Sequence, residues 1–338
     1  MYVDVALDSI ITYAITVGAS DIHFDPILNG IQVRLRIDGL LTEYMLVDAT
    51  DADMLVNRIK VFSGMDISEK RLPQDGRWEW SVKSYAVTMR VSSLPSLYGE
   101  AIVCRLMGNE GVHKNLLELG MDVELQEKIV ALLKRPYGLI TICGPTGSGK
   151  TATLYAMLRM LNLKETKLIC LEDPVEATIE GAIQIGINEK IGFTFSKGLR
   201  TVLRQDPDSI MIGEIRDNET AQLAVKAALT GHRVITTVHT NTALGVIGRL
   251  VDMGVEPYLL HATLIGSLSQ RLVRRIDSTT HSYQGRLGLF EYLEIPFSDI
   301  DWDHVEQYMF TSLQDSAHLA INSGITTLEE VHRAGILL

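Results

Sequence analysis

The stretch Gly144-Pro145-Thr146-Gly147-Ser148-Gly149-Lys150-Thr151 decides the fold of this chain. It follows a short apolar segment, Gly138 to Cys143, and precedes a segment of helical character, Thr151 to Leu163. A glycine-rich turn between a buried strand and a helix lets backbone N–H groups surround phosphate oxygens. Lys150 can then reach the β and γ phosphates, and the Thr151 hydroxyl can bind Mg²⁺. The stretch predicts a nucleotide-binding phosphate loop, with a turn that binds no nucleotide as the simpler alternative.

Length and composition indicate a globular protein with two domains. The 338 residues exceed the usual size of one hydrophobic core, and the apolar (46%) and charged (22%) fractions are ordinary. No apolar run approaches the roughly 20 residues that span a bilayer, and the first residues lack a secretory signal pattern. Cys104, Cys143 and Cys170 are widely separated, as expected of buried, reduced thiols. We therefore expect a cytoplasmic protein.

The net charge of −11 argues against a constitutive nucleic-acid binder. A local basic patch could still escape a count over the whole chain. We expect no nucleic-acid partner.

The first half of the chain has the pattern of an α+β domain. Apolar residues recur at helical spacing from Val3 to Val17, and Ile31 to Ile37 alternates as a half-exposed strand before the Asp38-Gly39 turn. A further helix and three antiparallel strands are predicted at Met54 to Phe62, Arg77 to Val82, Tyr85 to Val91 and Ala101 to Leu106. The pattern breaks around Met107 to Asn115, which we interpret as a linker.

The second half alternates apolar strands with helices. An amphipathic helix at Val123 to Leu133 precedes the phosphate loop. Apolar strands are predicted at Leu139 to Cys143, Leu168 to Leu171, Ser209 to Ile212 and Val234 to Val238. This alternation is typical of a parallel α/β sheet of RecA type.

Two of these strands end in glutamates. Glu172 follows Leu168 to Leu171, and Glu214 follows Ser209 to Ile212 and Gly213. Ligands of open α/β sheets bind at the carboxyl edge, so Glu172 could position and deprotonate water there. Glu214 stands where many phosphate-loop enzymes carry the acid that organises Mg²⁺. An acid at a strand end is also often only a helix cap.

His232 and His239 flank the strand Arg233 to Val238, and we expect both at the same edge of the sheet. A histidine there could sense the γ-phosphate or shape a subunit boundary. A single histidine is more often a structural residue with satisfied hydrogen bonds.

Taken together, these segments resemble the secretion ATPases of type II secretion systems and type IV pili, the GspE/PilB/PilT superfamily. The resemblance spans nearly the whole chain. Matching strings in the first half are Ala19-Ser20-Asp21-Ile22-His23, Arg36-Ile37-Asp38-Gly39, Leu72-Pro73-Gln74-Asp75-Gly76-Arg77 and Arg90-Val91-Ser92-Ser93-Leu94-Pro95. In the second half they are the phosphate loop, Glu172-Asp173-Pro174, Gly213-Glu214-Ile215-Arg216-Asp217, Thr230-Gly231-His232 to His239-Thr240-Asn241, and Gln270-Arg271-Leu272-Val273-Arg274-Arg275.

The resemblance implies a homohexameric, Mg²⁺-dependent ATPase motor that works against a polytopic platform protein at the inner face of the cell membrane. Glu172 is similar to the family's general base, Glu214 to its Walker B glutamate and His239 to its His-box histidine. The expected fold is a RecA-like P-loop ATPase domain at residues 116–338, after a smaller α+β (PAS-like) domain at 1–107 and a linker at 108–115.

Arg90 and Arg105 resemble arginines that the family's N-terminal domain presents to the nucleotide phosphates. Such arginines neutralise charge on the transferred phosphoryl group. The alternative is an exposed strand residue in a cross-strand ion pair. Whether these arginines serve their own subunit or the next is open.

Five further arginines have weaker patterns. Arg34 and Arg36 share one face of a strand, where solvated strand charges explain them adequately. Arg271, Arg274 and Arg275 are spaced to crowd one side of a helix, either as a basic patch or as a solvated helix end.

The chain departs from larger family members in two respects. It lacks the cysteine pairs that bind zinc after the Gln270 to Arg275 segment, so we expect no zinc. It also begins almost at the Ala19 to His23 segment, without the extra N-terminal domain of long assembly ATPases. This layout resembles the motors of Gram-positive competence pili or a shortened piece of a longer protein.

The direction of work is a separate question, since the superfamily includes pilus-building and pilus-retracting motors. Gly285-Arg286-Leu287-Gly288 resembles a segment of the assembly and secretion branch, and the C-terminal signature of retraction motors is absent. Assembly is therefore the expectation and retraction the alternative. A nucleic-acid translocase with a RecA-type core and a nucleotide-gated scaffold with little turnover are the remaining alternatives.

Overall fold

We describe the fold from a computed structural model, in which residues 3–82, 85–107, 111–296 and 300–338 are described. The chain divides into two compact units, Met1–Glu110 and Gly111–Leu338. Part of the expected linker, residues 108–110, lies outside the described residues. Each unit is described by itself.

The first unit is a six-stranded antiparallel sheet with two helices. Its sheet order is β3-β2-β1-β6-β5-β4. The strands β1 to β3 form one half of the sheet and β4 to β6 the other, and the two halves are joined by pairing of β1 with β6. The elements are α1 (Val3–Thr16), β1 (Ala19–Ile27), β2 (Gly30–Ile37), β3 (Leu40–Asp48), α2 (Ala49–Phe62), β4 (Gln74–Val82), β5 (Tyr85–Ser96) and β6 (Gly99–Leu106).

The helices of this unit cover one face of its sheet. Leu7 and Ile10 of α1 and Ile59 of α2 share a buried core with alternate strand residues such as Val33 and Leu35. The residues between them on β2, Arg34 and Arg36, lie on the opposite face and are only partly buried. This period of two is the pattern from which the strand was predicted, and it leaves a charged sheet face.

Arg34 and Arg36 have local carboxylate partners on that face. Arg34 Nε lies 2.7 Å from Asp25, and Arg36 Nε lies 3.8 Å from Asp21. These pairs support the interpretation of both arginines as solvated strand charges.

The second unit is built on an eight-stranded mixed sheet of order β14-β13-β12-β7-β11-β10-β8-β9. The strands from β12 to β9 are parallel, which confirms the predicted parallel α/β core, while β13 and β14 extend it in antiparallel fashion. The strands are β7 (Gly138–Cys143), β8 (Leu168–Glu172), β9 (Ile183–Gly186), β10 (Ser209–Ile212), β11 (Arg233–Val238), β12 (Leu264–Ile276), β13 (Tyr283–Glu294) and β14 (Met309–Thr311).

Helices pack on both faces of this sheet. Residues of α3 and α4 share one core with Ile140, Ile142 and Cys170, whereas α5, α6 and α7 share the other with Leu139 and Leu171. The helices are α3 (Val123–Leu133), α4 (Lys150–Leu158), α5 (Phe195–Val202), α6 (Asn218–Leu229), α7 (Gly245–Asp252), α8 (Pro257–Thr263), α9 (Leu313–Asn322) and α10 (Leu328–Arg333). Because both faces are covered, β7, β8, β10 and β11 are buried along their whole length.

The predicted helix at Arg271, Arg274 and Arg275 is wrong, because these residues belong to strand β12. The strand is buried on both faces over most of its length, so it lacks the alternation that marks a half-exposed strand. The predicted helix from Thr151 to Leu163 is also too long, since α4 ends at Leu158.

Arg274 binds a buried carboxylate that fastens α10 to β12. Glu330 is 1% exposed and accepts hydrogen bonds from Arg274 and from Arg333, whose Nη2 lies 2.7 Å away. Burial alone would raise the pKa of Glu330, but the two guanidinium groups lower it to about 2. The pair accounts for Arg274 as a structural residue.

Replacing Glu330 with glutamine is expected to destabilise the second unit by about 3 kcal/mol at neutral pH, because the lowered pKa records that much preference for the folded state. A lowered carboxyl pKa stabilises the fold above the unfolded-state pKa, and this contribution is lost as the pH falls from about 4.5 towards 2. Urea unfolding of the wild type and the variant at several pH values measures both effects. Glu329→Gln on the exposed side of α10 is the matched control, and equal losses in the two variants would contradict the assignment.

Candidate functional site

The phosphate loop connects β7 to α4 at the carboxyl edge of the sheet. Gly144, Gly147 and Gly149 have φ values of 143°, 77° and 87°, a region of backbone conformation that side chains disfavour. Gly149 is the N-cap of α4, so the first N–H groups of that helix face the loop. A helix N-terminus behind such a turn is suited to bind phosphate.

The loop is packed so closely that Gly144 tolerates no side chain. A Cβ atom there would lie 2.5 Å from Ser148 Oγ and 2.6 Å from the carbonyl oxygen of Gln270 on β12. Within the described part of the chain, Ser148 Oγ and Gln270 Nε2 are buried without hydrogen-bond partners. A tight cradle with two buried groups that can each donate a hydrogen bond and have no partner fits an anionic ligand whose oxygens accept them.

Lys150 is the cation inside this loop. Its ammonium is buried and donates to the carbonyl oxygens of Gly144 (2.8 Å) and Pro145 (3.0 Å). Burial lowers the pKa of Lys150, and the Arg271 guanidinium lowers it further, while the negative charge of Glu214 acts in the opposite direction. No carboxylate within the described ranges forms an ion pair with Lys150, so its charge is available to a polyanion.

Glu214 follows β10 and lies at the same edge of the sheet. Its carboxylate accepts a hydrogen bond from Arg216 and lies 3.2 Å from His239 Nε2. Burial alone would raise the pKa of Glu214, but the hydrogen bond from Arg216 and the neighbouring His239 hold it below its ordinary value. Glu214 is therefore ionised at neutral pH, as a magnesium-binding carboxylate must be.

Glu172 ends β8 and is held by two side chains that the sequence analysis did not identify. Tyr155 on α4 donates to Oε2, and Gln184 Nε2 on β9 donates to Oε1 at 3.0 Å. Glu172 is 4% exposed, and burial raises the pKa of its carboxyl group, while the bonds from Tyr155 and Gln184 oppose that rise. The carboxylate is thus buried and fixed in orientation.

The expectation that His232 and His239 lie at the same edge is wrong. His232 precedes β11 and His239 follows it, so the strand separates them by about 20 Å of extended chain. His232 Nδ1 lies 2.9 Å from the carbonyl oxygen of Ala227, at the end of α6. Only His239 is at the edge that carries the phosphate loop, and His232 has the contacts of a structural residue.

The loop after His239 is anchored to the β12–β13 hairpin. Arg271 Nη2 donates to the carbonyl oxygen of Asn241 at 2.8 Å, and the Glu291 carboxylate accepts from the backbone N–H of Ala243 at 2.5 Å. Arg271 is 8% exposed, and burial lowers its pKa. Arg271 therefore positions this loop. It is not a solvated residue at a helix end, which was one of the two expectations.

Arg90 and Arg105 belong to the sheet of the first unit. They are direct cross-strand partners on β5 and β6, and Arg77 on β4 is the partner of Arg90 on its other side. Arg105 Nε donates to Asp21 at 2.8 Å, whereas no carboxylate partner of Arg90 is found in the described ranges. Arg105 therefore forms the cross-strand ion pair that was the structural alternative, since Asp21 is its direct partner on β1. Arg90 lies opposite two like charges, an arrangement that does not stabilise the sheet.

A magnesium ion would find hard oxygen ligands in this site. Thr151 follows Lys150 in the first turn of α4, and the Glu214 carboxylate carries a negative charge at the same edge. Oxygen donors of this kind suit Mg²⁺, which usually keeps several waters and shares its ligands with substrate phosphates. Consistent with so sparse a protein ligand set, the described residues contain no group of three or more His, Cys, Asp or Glu arranged to hold a metal ion.

Sequence relatives point to secretion machinery. A protein named type II secretion system protein E from Klebsiella pneumoniae is 49% identical over 270 residues, which are 80% of this chain and 54% of that protein. The type II secretion system ATPase E of Vibrio cholerae is 40% identical, with 97% of this chain and 74% of that protein covered. The chain spans about half the length of several of these curated relatives.

Solved structures show the same fold. The pilus retraction motor PilT with bound ADP matches with a TM-score of 0.68 at 29% identity, covering 96% of each chain. The Legionella pneumophila ATPase DotB matches with a TM-score of 0.77 at 23% identity, covering 97% of this chain and 95% of that one. The structural core is therefore that of RecA-like secretion ATPases, as the sequence predicted.

The family described as type II/IV secretion system protein matches residues 2–333. Because this match covers almost the entire chain, the protein belongs to the type II/IV secretion system protein family.

Proposed function

We propose that this protein is a Mg²⁺-dependent ATPase that powers type II secretion or the assembly of a pilus-like fibre. The observation that carries the proposal is the convergence of Lys150, Glu214, His239 and Glu172 at one edge of a single sheet. The family membership and the names of the relatives support the same activity. These relatives are secretion proteins at up to 49% identity, which favours secretion or assembly over retraction.

Each residue has a role that follows from its position. The loop N–H groups and Lys150 bind the β and γ phosphates, and Thr151 and Glu214 hold Mg²⁺. When bound, the ion withdraws charge from the phosphate oxygens. His239 orients the Glu214 carboxylate through its contact of 3.2 Å, and Glu172 accepts a proton from the attacking water. Burial raises the pKa of Glu172 above its ordinary value, which suits a general base.

The proposal extends to assembly and location. The working form is a homohexamer in the cytoplasm, bound peripherally to the inner face of the cell membrane through a polytopic platform protein. No helix in the described ranges is both long and apolar enough to cross a membrane. A peripheral attachment through a partner is compatible with that finding.

Purified protein is the material for the direct test. We expect ATP hydrolysis that requires Mg²⁺ and a solution mass by light scattering that corresponds to six copies when nucleotide is present. Addition of DNA or RNA at low and moderate salt should leave the rate unchanged, whereas strong stimulation would favour a translocase. A protein that binds ATP tightly in single-turnover experiments but leaves the γ-phosphate intact would be a scaffold, and the proposal would fail.

We further propose that Arg90 and Arg105 neutralise phosphate charge during hydrolysis. Arg90→Ala is expected to lower kcat about tenfold or more, because a second arginine of the row remains. The same change should leave urea stability unchanged or higher, since it removes a cation opposite two others. Arg58→Ala, which removes a surface pair with Asp4 in the same unit, is the control and should keep its hydrolysis rate. A normal hydrolysis rate together with a loss of stability would show that Arg90 only stabilises the sheet, and this proposal would fail.

A further inference from the structure

The hydroxyl of Tyr155 makes three hydrogen bonds in the interior of the second unit. It donates to Glu172 and accepts from the backbone N–H groups of Glu176 (3.2 Å) and Ala177 (3.3 Å). Tyr155 is fully buried on α4, the helix that begins at the phosphate loop. A single atom therefore connects that helix, the Glu172 carboxylate and the loop after β8.

Gln184 on β9 completes the enclosure from the other side. Its Nε2 donates to Glu172 Oε1 and to the carbonyl oxygen of Ala177 at 2.8 Å, and its Oε1 accepts from the backbone N–H of Ile179. Both carboxylate oxygens of Glu172 thus receive a donor, and both donors come from residues that also hold the segment from Glu176 to Ile179. The carboxylate and this segment cannot move independently.

No charged side chain is among the groups that shift the pKa of Glu172 in the described part of the chain. Among the described residues, a second titratable group that interacts with Glu172 besides Tyr155 is the Cys170 thiol on β8, whose pKa is raised by burial, so it is neutral. Burial likewise raises the pKa of the Tyr155 hydroxyl, which remains a proton donor at neutral pH. The state of Glu172 is therefore governed by its burial, by the side-chain donors Tyr155 and Gln184, and by the backbone N–H of Glu176, all of which are neutral.

We propose that Tyr155 and Gln184 are positioning residues that keep the Glu172 carboxylate ionised and aimed for proton transfer, and that Tyr155 couples this orientation to the phosphate-loop helix. The proposal rests on the proposed hydrolysis of ATP. A phenylalanine would fill the same apolar space without the need to satisfy a buried hydroxyl, so packing alone does not require tyrosine here. Donors to an ionised carboxylate favour the charged form and restrict its geometry.

Tyr155→Phe separates positioning from packing, because it keeps the ring and removes the donor. The carboxyl group should then bind its proton more readily, so the acid limb of kcat/KM should move up by about one pH unit. We expect kcat at neutral pH to fall about tenfold and the KM for ATP to change less than about twofold. Titration of ¹³C-labelled Glu172 should show the same upward shift without nucleotide.

Tyr292→Phe is the matched control. Tyr292 lies in the same buried cluster, and its hydroxyl has no hydrogen-bond partner in the described part of the chain. Its removal should leave both the pH profile and the ¹³C titration unchanged. Gln184→Met is the second variant, since it keeps the length of a partly exposed side chain and removes the donor to Oε1. It should shift both readouts in the same direction as Tyr155→Phe, by a smaller amount.

The readouts separate this proposal from the proposed function. Wild-type protein without hydrolysis would remove the ATPase assignment, while the ¹³C titration would still decide whether the two residues set the state of Glu172. If Tyr155→Phe lowers the melting temperature and the maximal rate but the acid limb and the titration coincide with those of the wild type, Tyr155 is only structural. If Tyr155→Phe does not fold, Gln184→Met decides: an acid limb and a ¹³C titration equal to those of the wild type would overturn the proposal.

Discussion

Lys150→Ala is expected to reduce ATP hydrolysis by about 10²- to 10³-fold or more, the loss that follows removal of one preorganised charge from a transition state. Lys150 is buried in the loop and lies within 3.0 Å of two loop carbonyl oxygens. Without Lys150, the backbone N–H groups of the loop and of the first turn of α4 would be left to bind the phosphates. A steady-state phosphate-release assay over a range of ATP concentrations measures the loss in kcat and in KM.

The fold of this variant should persist. The Lys150 ammonium has no carboxylate partner among the residues that the structure describes, and burial already lowers its pKa, so the protein gains little stability from it. Lys128→Ala is the control, because that lysine forms a half-exposed pair with Glu294 on the surface of α3. Equal hydrolysis by Lys150→Ala and Lys128→Ala would refute the phosphate loop as the site of turnover.

Much of the second unit could be predicted because its signals are local. Gly138 to Cys143 and Ser209 to Ile212 are short apolar runs between turn residues, and both are strands with those bounds. Such runs are buried on both faces of a parallel sheet, so composition alone identifies them. The glycines of the phosphate loop predict a tight turn, because glycine readily adopts the positive φ values that this turn requires.

Contacts between distant segments explain what the sequence did not reveal. The spacing of Arg271, Arg274 and Arg275 fits a helix, yet pairing with β7 and β13 makes the segment a strand. Tertiary pairing overrides local preference in such segments. The separation of His232 from His239, by contrast, follows from the length of the predicted strand between them, so the expectation of a shared edge did not agree with the predicted strand.

The residues that surround Glu172 could not be predicted either, because they come from segments that are distant in the sequence. Tyr155 lies one helical turn after Thr151, a spacing that could have suggested a shared face, but Gln184 reaches Glu172 only because β9 pairs with β8. The sequence located the carboxylate at the strand end, and the pairing of strands determined what surrounds it. Prediction of a site residue and prediction of its environment are therefore different tasks.

Glu172→Gln is expected to lower kcat by about 10²- to 10⁴-fold while ATP binding changes little, because the change removes a general base and keeps its shape. The amide oxygen can still accept from Tyr155, but the amide cannot take a proton from water. The residual activity should also lose the acid limb of the pH profile that a raised Glu172 pKa produces, since the group that titrates is absent. Hydrolysis and equilibrium ATP binding, measured from acidic to neutral pH, test both expectations.

The comparison with Glu214→Gln decides which carboxylate is the base. Glu214 carries a lowered pKa and is bonded to Arg216 and His239, so its replacement should weaken the dependence of the rate on Mg²⁺. Glu127→Gln on the exposed side of α3 controls for the loss of a negative charge. A nearly normal rate in Glu172→Gln, with the large loss appearing in Glu214→Gln, would move the proton-accepting role to Glu214. Because the structure fixes Glu172 with neutral donors and Glu214 with the Arg216 guanidinium, a general base with a raised pKa and a permanent anion are the roles that these two environments favour.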